Sequence, residues 1–284
     1  MIAIAGTIAI VLLRRSALAR AAFGWSFLWT STWDPVALRF GALPFIYGTL
    51  ATTAIAIALP LGLGAAVCLA ELMPRRLADP LTFLIELLVA VPSVIYGLVG
   101  VFVLVPAIRS LEQAVGPVLG SIPLFAGPAY GVGLLAAGIL LAVMVVPFIV
   151  SVSREVLLAV PQTQRDAALA LGATRWETVR DVVVPYARSG ILGSVFLALA
   201  RALGETMAVT MVIGNRPEIA ASLFAPAYTM AAVLANEFTE ATDEVYLAAL
   251  VEIALVLFAI TLAINALARL LIASVRAAPG AQRP

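Results

Sequence analysis

The sequence predicts an all-α, polytopic membrane protein with about six transmembrane helices, since ~20 apolar residues are needed to cross the hydrocarbon core. Of its 284 residues, 63% are hydrophobic and 12% are charged, whereas about 25% are charged in a typical soluble domain. Five charge-poor stretches are each long enough to span. The chain has no His and a single Cys, Cys68. A disulfide within the chain is therefore excluded, and no metal site built from His or Cys is expected.

Residues 1–44 are expected to hold a partial first helix followed by an interfacial segment. Residues 1–13 are apolar but fall short of the ~20 residues of a spanning helix. Arginines follow this run instead of preceding it, which is the wrong order for a signal peptide. Residues 14–43 carry aromatic side chains of the kind found at membrane interfaces. They are Phe23, Trp25, Phe27, Trp29 and Trp33.

Five charge-poor stretches follow as predicted spans. They are residues 45–70, 81–106, 129–152, 190–214 and 245–271. Pro60 and Gly62 are expected to bend the first. Pro92 interrupts the second near its centre and is followed by Ser93 and Tyr96. Two interpretations fit this break at membrane depth, a proline kink packed on another helix or the lining of a transport pathway. Residues 109–127 are expected to form a loop.

Residues 215–244, between the last two spans, are expected to form an interfacial or re-entrant hairpin. Residues 219–236 carry no charge, but Pro226 divides them into pieces too short to cross a membrane. Acidic residues follow. The segment is interpreted as an outer gate or as a docking surface for an extracytoplasmic partner. Its candidate residues are Ala225, Pro226, Tyr228 and Glu237.

The island at residues 154–188 carries nine charged residues and cannot lie in a membrane core. Asp166 opens a helix with a small-residue face, and Gly172 allows a sharp turn into a second helix. This pattern is typical of an exposed docking element, which is expected to end at Pro185. Its candidate residues are Asp166, Ala167, Ala168, Leu171, Gly172 and Pro185. The arginines of the later loops place the island in the cytoplasm by the positive-inside rule, although those of residues 14–39 point the other way.

Arg201 and Glu205 stand one turn apart in the fourth predicted span. A charged side chain there costs about 2.5 to 3.5 kcal/mol on insertion scales, so it usually faces a bundle interior or a water-filled path. A guanidinium offers a fork of donors that fits two oxygens of a phosphate. A self-neutralising ion pair is the alternative. Thr206 and Thr210 can add donors or can bond their own backbone. The candidate residues of the substrate pathway are therefore Ser93, Tyr96, Arg201, Glu205, Thr206 and Thr210.

The basic residues restrict the possible activities. All 17 are Arg, and without Lys there is no GxxxxGK[ST] phosphate loop, so ATP hydrolysis by that route is excluded. The chain is expected to be a non-catalytic subunit without a cofactor of its own. The arginines are dispersed, so no nucleic-acid partner is expected.

The island resembles the EAA loop of ABC importer permeases. The pattern of that loop is Glu-Ala-Ala, then a Gly a few residues later, and a hydrophobic-x-Leu-Pro sequence at its end. Asp166 stands for the Glu, and Val184 stands for the Leu before Pro185. With RALGETMAVT at residues 201–210 and FAPAYTM at residues 224–230, the chain resembles PstC-type permease subunits of phosphate importers over about residues 24–271. Arg201 and Glu205 match the charged pair that the family associates with phosphate passage.

This resemblance implies a type I ABC importer permease (MetI-like) architecture in the bacterial cytoplasmic (inner) membrane. It implies four partners besides the lipid: inorganic phosphate, a homologous PstA-type permease, a dimeric PstB-type ATPase that holds ATP and Mg²⁺, and a PstS-type phosphate-binding protein. The expected domains are 1–44, a transmembrane domain over 45–272 with its cytoplasmic coupling loop at 153–189, and a cytoplasmic tail at 273–284.

Two alternatives stay open. The same architecture can carry another oxyanion such as molybdate or sulfate, because an Arg fork does not choose among tetrahedral anions. An ion-coupled secondary anion transporter would need no ATPase and would usually show an internal repeat with paired broken helices. No matching repeat is present in the sequence.

Overall fold

The computed structural model describes residues 2–57 and 61–277 and contains no β-strand within them. Its helices are α1 (Ile2–Arg15), α2 (Ala17–Phe23), α3 (Leu43–Ile57), α4 (Leu61–Val67), α5 (Arg75–Ala90), α6 (Ser93–Val99), α7 (Val105–Leu119), α8 (Leu134–Leu158), α9 (Gln162–Ala170), α10 (Arg175–Thr178), α11 (Val184–Leu203), α12 (Met207–Val212), α13 (Met230–Glu237) and α14 (Glu244–Ala277). Wider π turns occupy Cys68–Leu72, Gly100–Leu104 and Val179–Val183, and short 3₁₀ turns occupy Gly24–Leu28 and Pro123–Phe125. The all-α prediction is confirmed.

Five helical stretches within the described part of the chain are long and apolar enough to cross a membrane. They are Leu43–Leu72, Ser93–Leu119, Leu134–Leu158, Arg175–Leu203 and Glu244–Ser274. The first includes residues 58–60, and the bend predicted at Pro60 therefore lies outside the described residues. Helix α1 has 14 residues, fewer than a spanning helix needs, as predicted for a partial first helix.

The second predicted span is shifted along the chain. Helix α5 ends at Ala90, Pro92 precedes α6, and the long apolar helix runs from Ser93 to Leu119. The break thus opens this span instead of dividing it, because a proline disfavours helical backbone in the residue before it. Residues 109–119 were predicted as loop but are helical, since their charged side chains find partners within the fold.

Residues 2–56, 92–142 and 202–262 form one compact unit. Its core contains aromatic residues of the N-terminal segment. Trp33 packs against Phe40 and Phe45 with ring centroids 4.8 Å apart in both pairs, and Phe27 is buried. Trp25 and Trp29 are exposed instead. Placement of this segment at a membrane interface stays a prediction.

Within the described part of the chain, residues 57, 61–91, 143–201 and 263–277 form a second compact unit. Its apolar core includes Leu69, Leu157 and Val183. A buried hydrogen bond, 2.7 Å long, joins the hydroxyls of Ser153 on α8 and Ser194 on α11. This unit holds the charged island, so the island rests on a packed helical base.

Candidate functional site

The island contains an exposed element, residues 166–172, here called the knob. Asp166, Ala167 and Ala168 lie on α9, and the Leu171 side chain that follows is 90% exposed. Gly172 has φ +91°, a left-handed conformation that residues with a Cβ rarely adopt. The predicted sharp turn is confirmed. The predicted helix is present, but it begins at Gln162 and not at Asp166, directly after Pro161. The knob offers its surface to solvent.

The chain leaves the knob through a capped helix start. The Thr174 hydroxyl accepts from the Glu177 N–H at 3.3 Å, and the Glu177 carboxylate accepts from the Thr174 N–H at 2.7 Å. This reciprocal pair is a capping box, which satisfies amide donors at the first turn of a helix. It fixes where α10 begins. Pro185 lies further on, exposed in the first turn of α11.

Arg201 is exposed near the end of α11, and its guanidinium lies 6.0 Å from the centroid of the Phe148 ring. Glu205 lies beyond the end of this helix, and its Oε1 accepts from the Ala208 N–H at 3.3 Å. The predicted arrangement, both charges on one uninterrupted helix, is therefore wrong. Gly204 favours a break because glycine is a poor helix former, and a carboxylate is stabilised at a helix N-terminus.

Thr206 and Thr210 use their hydroxyls on nearby backbone. The Thr206 hydroxyl donates to the Gly204 carbonyl at 3.2 Å, and the Thr210 hydroxyl donates to the Thr206 carbonyl at 2.8 Å. This agrees with the alternative that threonines in membrane helices bond their own chain. Their part in a substrate pathway stays a prediction.

Helices α6 and α12 pack against each other, which brings the helix of Ser93 and Tyr96 to the helix that carries Thr210. Gly97 allows their close approach, since a Cβ there would lie 2.5 Å from the Met211 sulfur and 3.2 Å from the Ala208 Cα. Tyr96 is buried in this unit. The structure thus unites two of the sequence segments that were proposed for the pathway.

Residues 215–229 contain no helix, and α13, which follows, has eight residues, too few to cross a membrane. This agrees with the expectation that the segment does not cross a membrane as one helix, while the interfacial or re-entrant hairpin stays a prediction. Pro226 packs on Gly214, where a Cβ would lie 2.7 Å from the proline Cβ. The Ala225 carbonyl accepts from the Leu134 N–H at 3.1 Å. The segment is thus packed onto the start of α8.

Two of the predicted docking residues point into the fold. The Tyr228 side chain is buried, and its hydroxyl accepts from the Asn236 amide at 2.9 Å. Burial raises the pKa of Tyr228 to about 12. The Glu237 Oε2 accepts from Trp33 Nε1 at 2.8 Å and from the Tyr246 hydroxyl at 2.7 Å. The docking interpretation does not fit these side chains, while a role in a gate stays a prediction.

Sequence reasoning missed a buried carboxylate on α7. Glu112 is 3% exposed, and its Oε2 accepts from the Gly131 N–H at 2.7 Å. Arg109 on the same helix donates from Nε and Nη2 to the Tyr130 carbonyl at 3.1 and 2.9 Å. The i, i+3 spacing of Arg109 and Glu112 is the signal that could have indicated helix in place of the predicted loop.

Glu252 of α14 forms an ion pair with Arg20 of α2, with 3.7 Å between Glu252 Oε2 and Arg20 Nε. Among the described residues, no cluster of His, Cys, Asp and Glu can hold a metal ion.

Comparison with known proteins gives the family. The family model described as "Binding-protein-dependent transport system inner membrane component" matches residues 58–277. The "Phosphate transport system permease protein PstC" of Mesorhizobium japonicum is 49% identical, over 97% of this chain and 86% of that protein. The protein of the same name in Xylella fastidiosa strain Temecula1 is 48% identical, over 88% of this chain and 79% of that protein.

A solved structure shares the fold. A chain of the MetNI methionine ABC transporter, in an inward-facing conformation, matches with a TM-score of 0.60 at 17% identity, over 86% of this chain and 99% of that chain. This likeness supports the predicted MetI-like architecture. The family match and the relatives that align over most of the chain together identify its family. The chain belongs to the binding-protein-dependent transport system inner membrane components and, within them, to the PstC family of permease proteins.

Proposed function

We propose that this chain is the non-catalytic permease subunit of an ATP-driven importer that moves inorganic phosphate across the bacterial cytoplasmic (inner) membrane by alternating access. The observation that carries the proposal is its 49% identity, over 97% of its length, to a protein named as a phosphate transport system permease. Its partners would be a PstA-type permease, a dimeric PstB-type ATPase that binds ATP and Mg²⁺, and a PstS-type phosphate-binding protein.

The knob is the proposed contact with the ATPase. It is exposed at Asp166, Ala167 and Leu171, and it projects from a cluster of charges that no membrane core accepts. ATP binding would close the ATPase pair and displace the knob, and this displacement is the input that drives alternating access.

Arg201 is the proposed phosphate-contacting residue. It is exposed on Arg175–Leu203, a helix apolar enough to span a membrane, and none of the ion pairs formed by the described residues includes it. A charged Arg201 side chain that faced lipid would cost about 2.5 to 3.5 kcal/mol. This cost favours a partner chain or a water-filled path beside Arg201. Its guanidinium then presents unneutralised donors to an oxyanion.

The test is uptake by proteoliposomes that contain the whole four-component importer. The proposal predicts phosphate uptake that requires ATP hydrolysis and the binding protein, and that excess sulfate or molybdate does not reduce. Equal competition by sulfate or molybdate would assign the chain to another oxyanion. Uptake by this chain without an ATPase would instead favour a secondary transporter.

A further inference from the structure

Arg165 immediately precedes the knob on α9, but unlike Asp166 it is largely buried. Its side chain is 12% exposed, and that of its partner Glu71 is 10% exposed. Arg165 Nη2 lies 2.6 Å from Glu71 Oε1, and Arg165 Nε lies 3.4 Å from Glu71 Oε2. Glu71 belongs to the π turn that follows α4. The Arg165 guanidinium therefore contacts both carboxylate oxygens of Glu71. This two-point geometry makes Arg–carboxylate pairs directional.

The same guanidinium also holds the end of α8. Arg165 Nη2 donates to the Leu157 carbonyl at 2.8 Å, and Nη1 donates to the Val160 carbonyl. The last carbonyls of a helix lack intrahelical donors, and a cation there is favoured by the helix dipole. Leu157 and Val160 are buried in the apolar core of their unit together with Leu69. One side chain thus joins α9, the end of α8 and the turn after α4.

A second ion pair of this unit lacks these features. Arg154 of α8 and Asp79 of α5 are 3.8 Å apart, and the Asp79 side chain is 68% exposed. An exposed pair of this kind contributes little, because water screens the charges and the side chains stay mobile. A largely buried pair behaves differently, since removal of one partner leaves the other charge without compensation.

We infer that Arg165 and Glu71 are positioning residues that make α9 move as one body with the end of α8 and the turn after α4. Force on the exposed face of the knob then reaches the helices of its own unit and is not lost in a hinge at residues 159–161. The inference rests on the proposed function, in which the knob contacts the ATPase. It adds a pair that touches neither substrate nor nucleotide.

The test compares Glu71→Gln with Asp79→Asn in the reconstituted four-component importer. Each substitution removes one carboxylate charge of one ion pair within the same unit. ATP hydrolysis and phosphate uptake are measured together, and their ratio is the readout. We expect Glu71→Gln to lower phosphate moved per ATP by about tenfold, in the range of coupling free energies between sites, while hydrolysis continues. Asp79→Asn should keep the wild-type ratio, and Glu71→Asp, which keeps the charge, should restore part of the loss.

The outcomes separate the inference from the proposed function. A wild-type ratio in Glu71→Gln overturns the inference, and so does an equal loss in Asp79→Asn, because any charge removal would then suffice. Absence of ATP-driven phosphate uptake by the wild-type complex contradicts the proposed function instead.

A second measurement applies if Glu71→Gln fails to assemble. Cysteines at positions 71 and 165, in a Cys68→Ser background, are joined by a bismaleimide in the assembled importer. Because both charges are removed together, neither is left buried without its partner. The inference predicts that the double-cysteine complex moves less phosphate per ATP than the wild type, and that cross-linking restores part of this ratio by replacing the ion pair with a covalent link. A wild-type ratio before cross-linking, or no recovery after it, would overturn the inference.

Discussion

Arg201 shows what one charge in an apolar helix can do. It is exposed, and its guanidinium lies 6.0 Å from the centroid of the Phe148 ring. Its fork of donors is the feature that a point charge cannot reproduce. We predict that Arg201→Gln lowers phosphate uptake by about ten- to hundredfold, the value of one charged hydrogen bond, and that Arg201→Lys gives an intermediate loss. Arg269→Gln, which removes an exposed arginine from α14, is the matched control. Equal uptake by Arg201→Gln and its control would contradict the assignment.

The Glu237 carboxylate accepts hydrogen bonds from both Trp33 and Tyr246. Glu237→Ala leaves both donors without a partner, which costs about 1 to 3 kcal/mol for each group that stays desolvated. We predict a lower Tm for the purified complex and a smaller decrease for Glu237→Gln, which keeps one acceptor oxygen. Glu240→Gln, an exposed neighbour, should leave the Tm unchanged. A Glu237→Ala variant as stable as the wild type would show that these bonds add nothing to the fold.

At the scale of the element, Gly172 sets the angle between α9 and α10. A Cβ at this position meets no atom within 4 Å, so any effect of substitution comes from the backbone and not from crowding. The left-handed conformation costs residues other than glycine roughly 1 to 2 kcal/mol, and Asn tolerates it better than most. We therefore predict that Gly172→Asn retains more bound ATPase subunit than Gly172→Val. The measurement is the amount of ATPase that copurifies with the permease, and the reverse order would refute a role for this turn.

The elements also show where sequence reasoning fails. A hydropathy window finds an apolar stretch of the right length, but it does not distinguish a proline inside a span from one at its start. The second span was therefore predicted to begin at residue 81, before Pro92, whereas the long apolar helix begins at Ser93. Gly204 ended α11 within a stretch predicted as one span, because the preference of Glu205 for a helix start outweighed the continuity of apolar residues. The turn of the knob was predicted correctly, since it depends on the local conformation of Gly172, whereas its helix begins at Gln162, before the predicted start at Asp166.

At the scale of the whole molecule, composition alone indicated a helical membrane protein, and spacing alone indicated an exposed island. The contacts that hold each unit together were not predictable in the same way. Glu237 and Trp33 are 204 residues apart in the chain, and Glu71 and Arg165 are 94 apart. Periodicity reports which face of a helix is apolar, but it does not report which distant side chain that face meets.

Transport and coupling are proposed to depend on different residues of one chain, and one experiment tests this most directly. Phosphate uptake and ATP hydrolysis are measured in parallel for importers with Arg201→Gln or with Asp166→Lys, which reverses the charge on the exposed knob. We predict that the Arg201→Gln importer assembles and hydrolyses ATP but moves little phosphate, whereas the Asp166→Lys importer loses the ATPase subunit or hydrolyses ATP without transport. If both variants transport like the wild type, neither the pathway nor the coupling assignment holds.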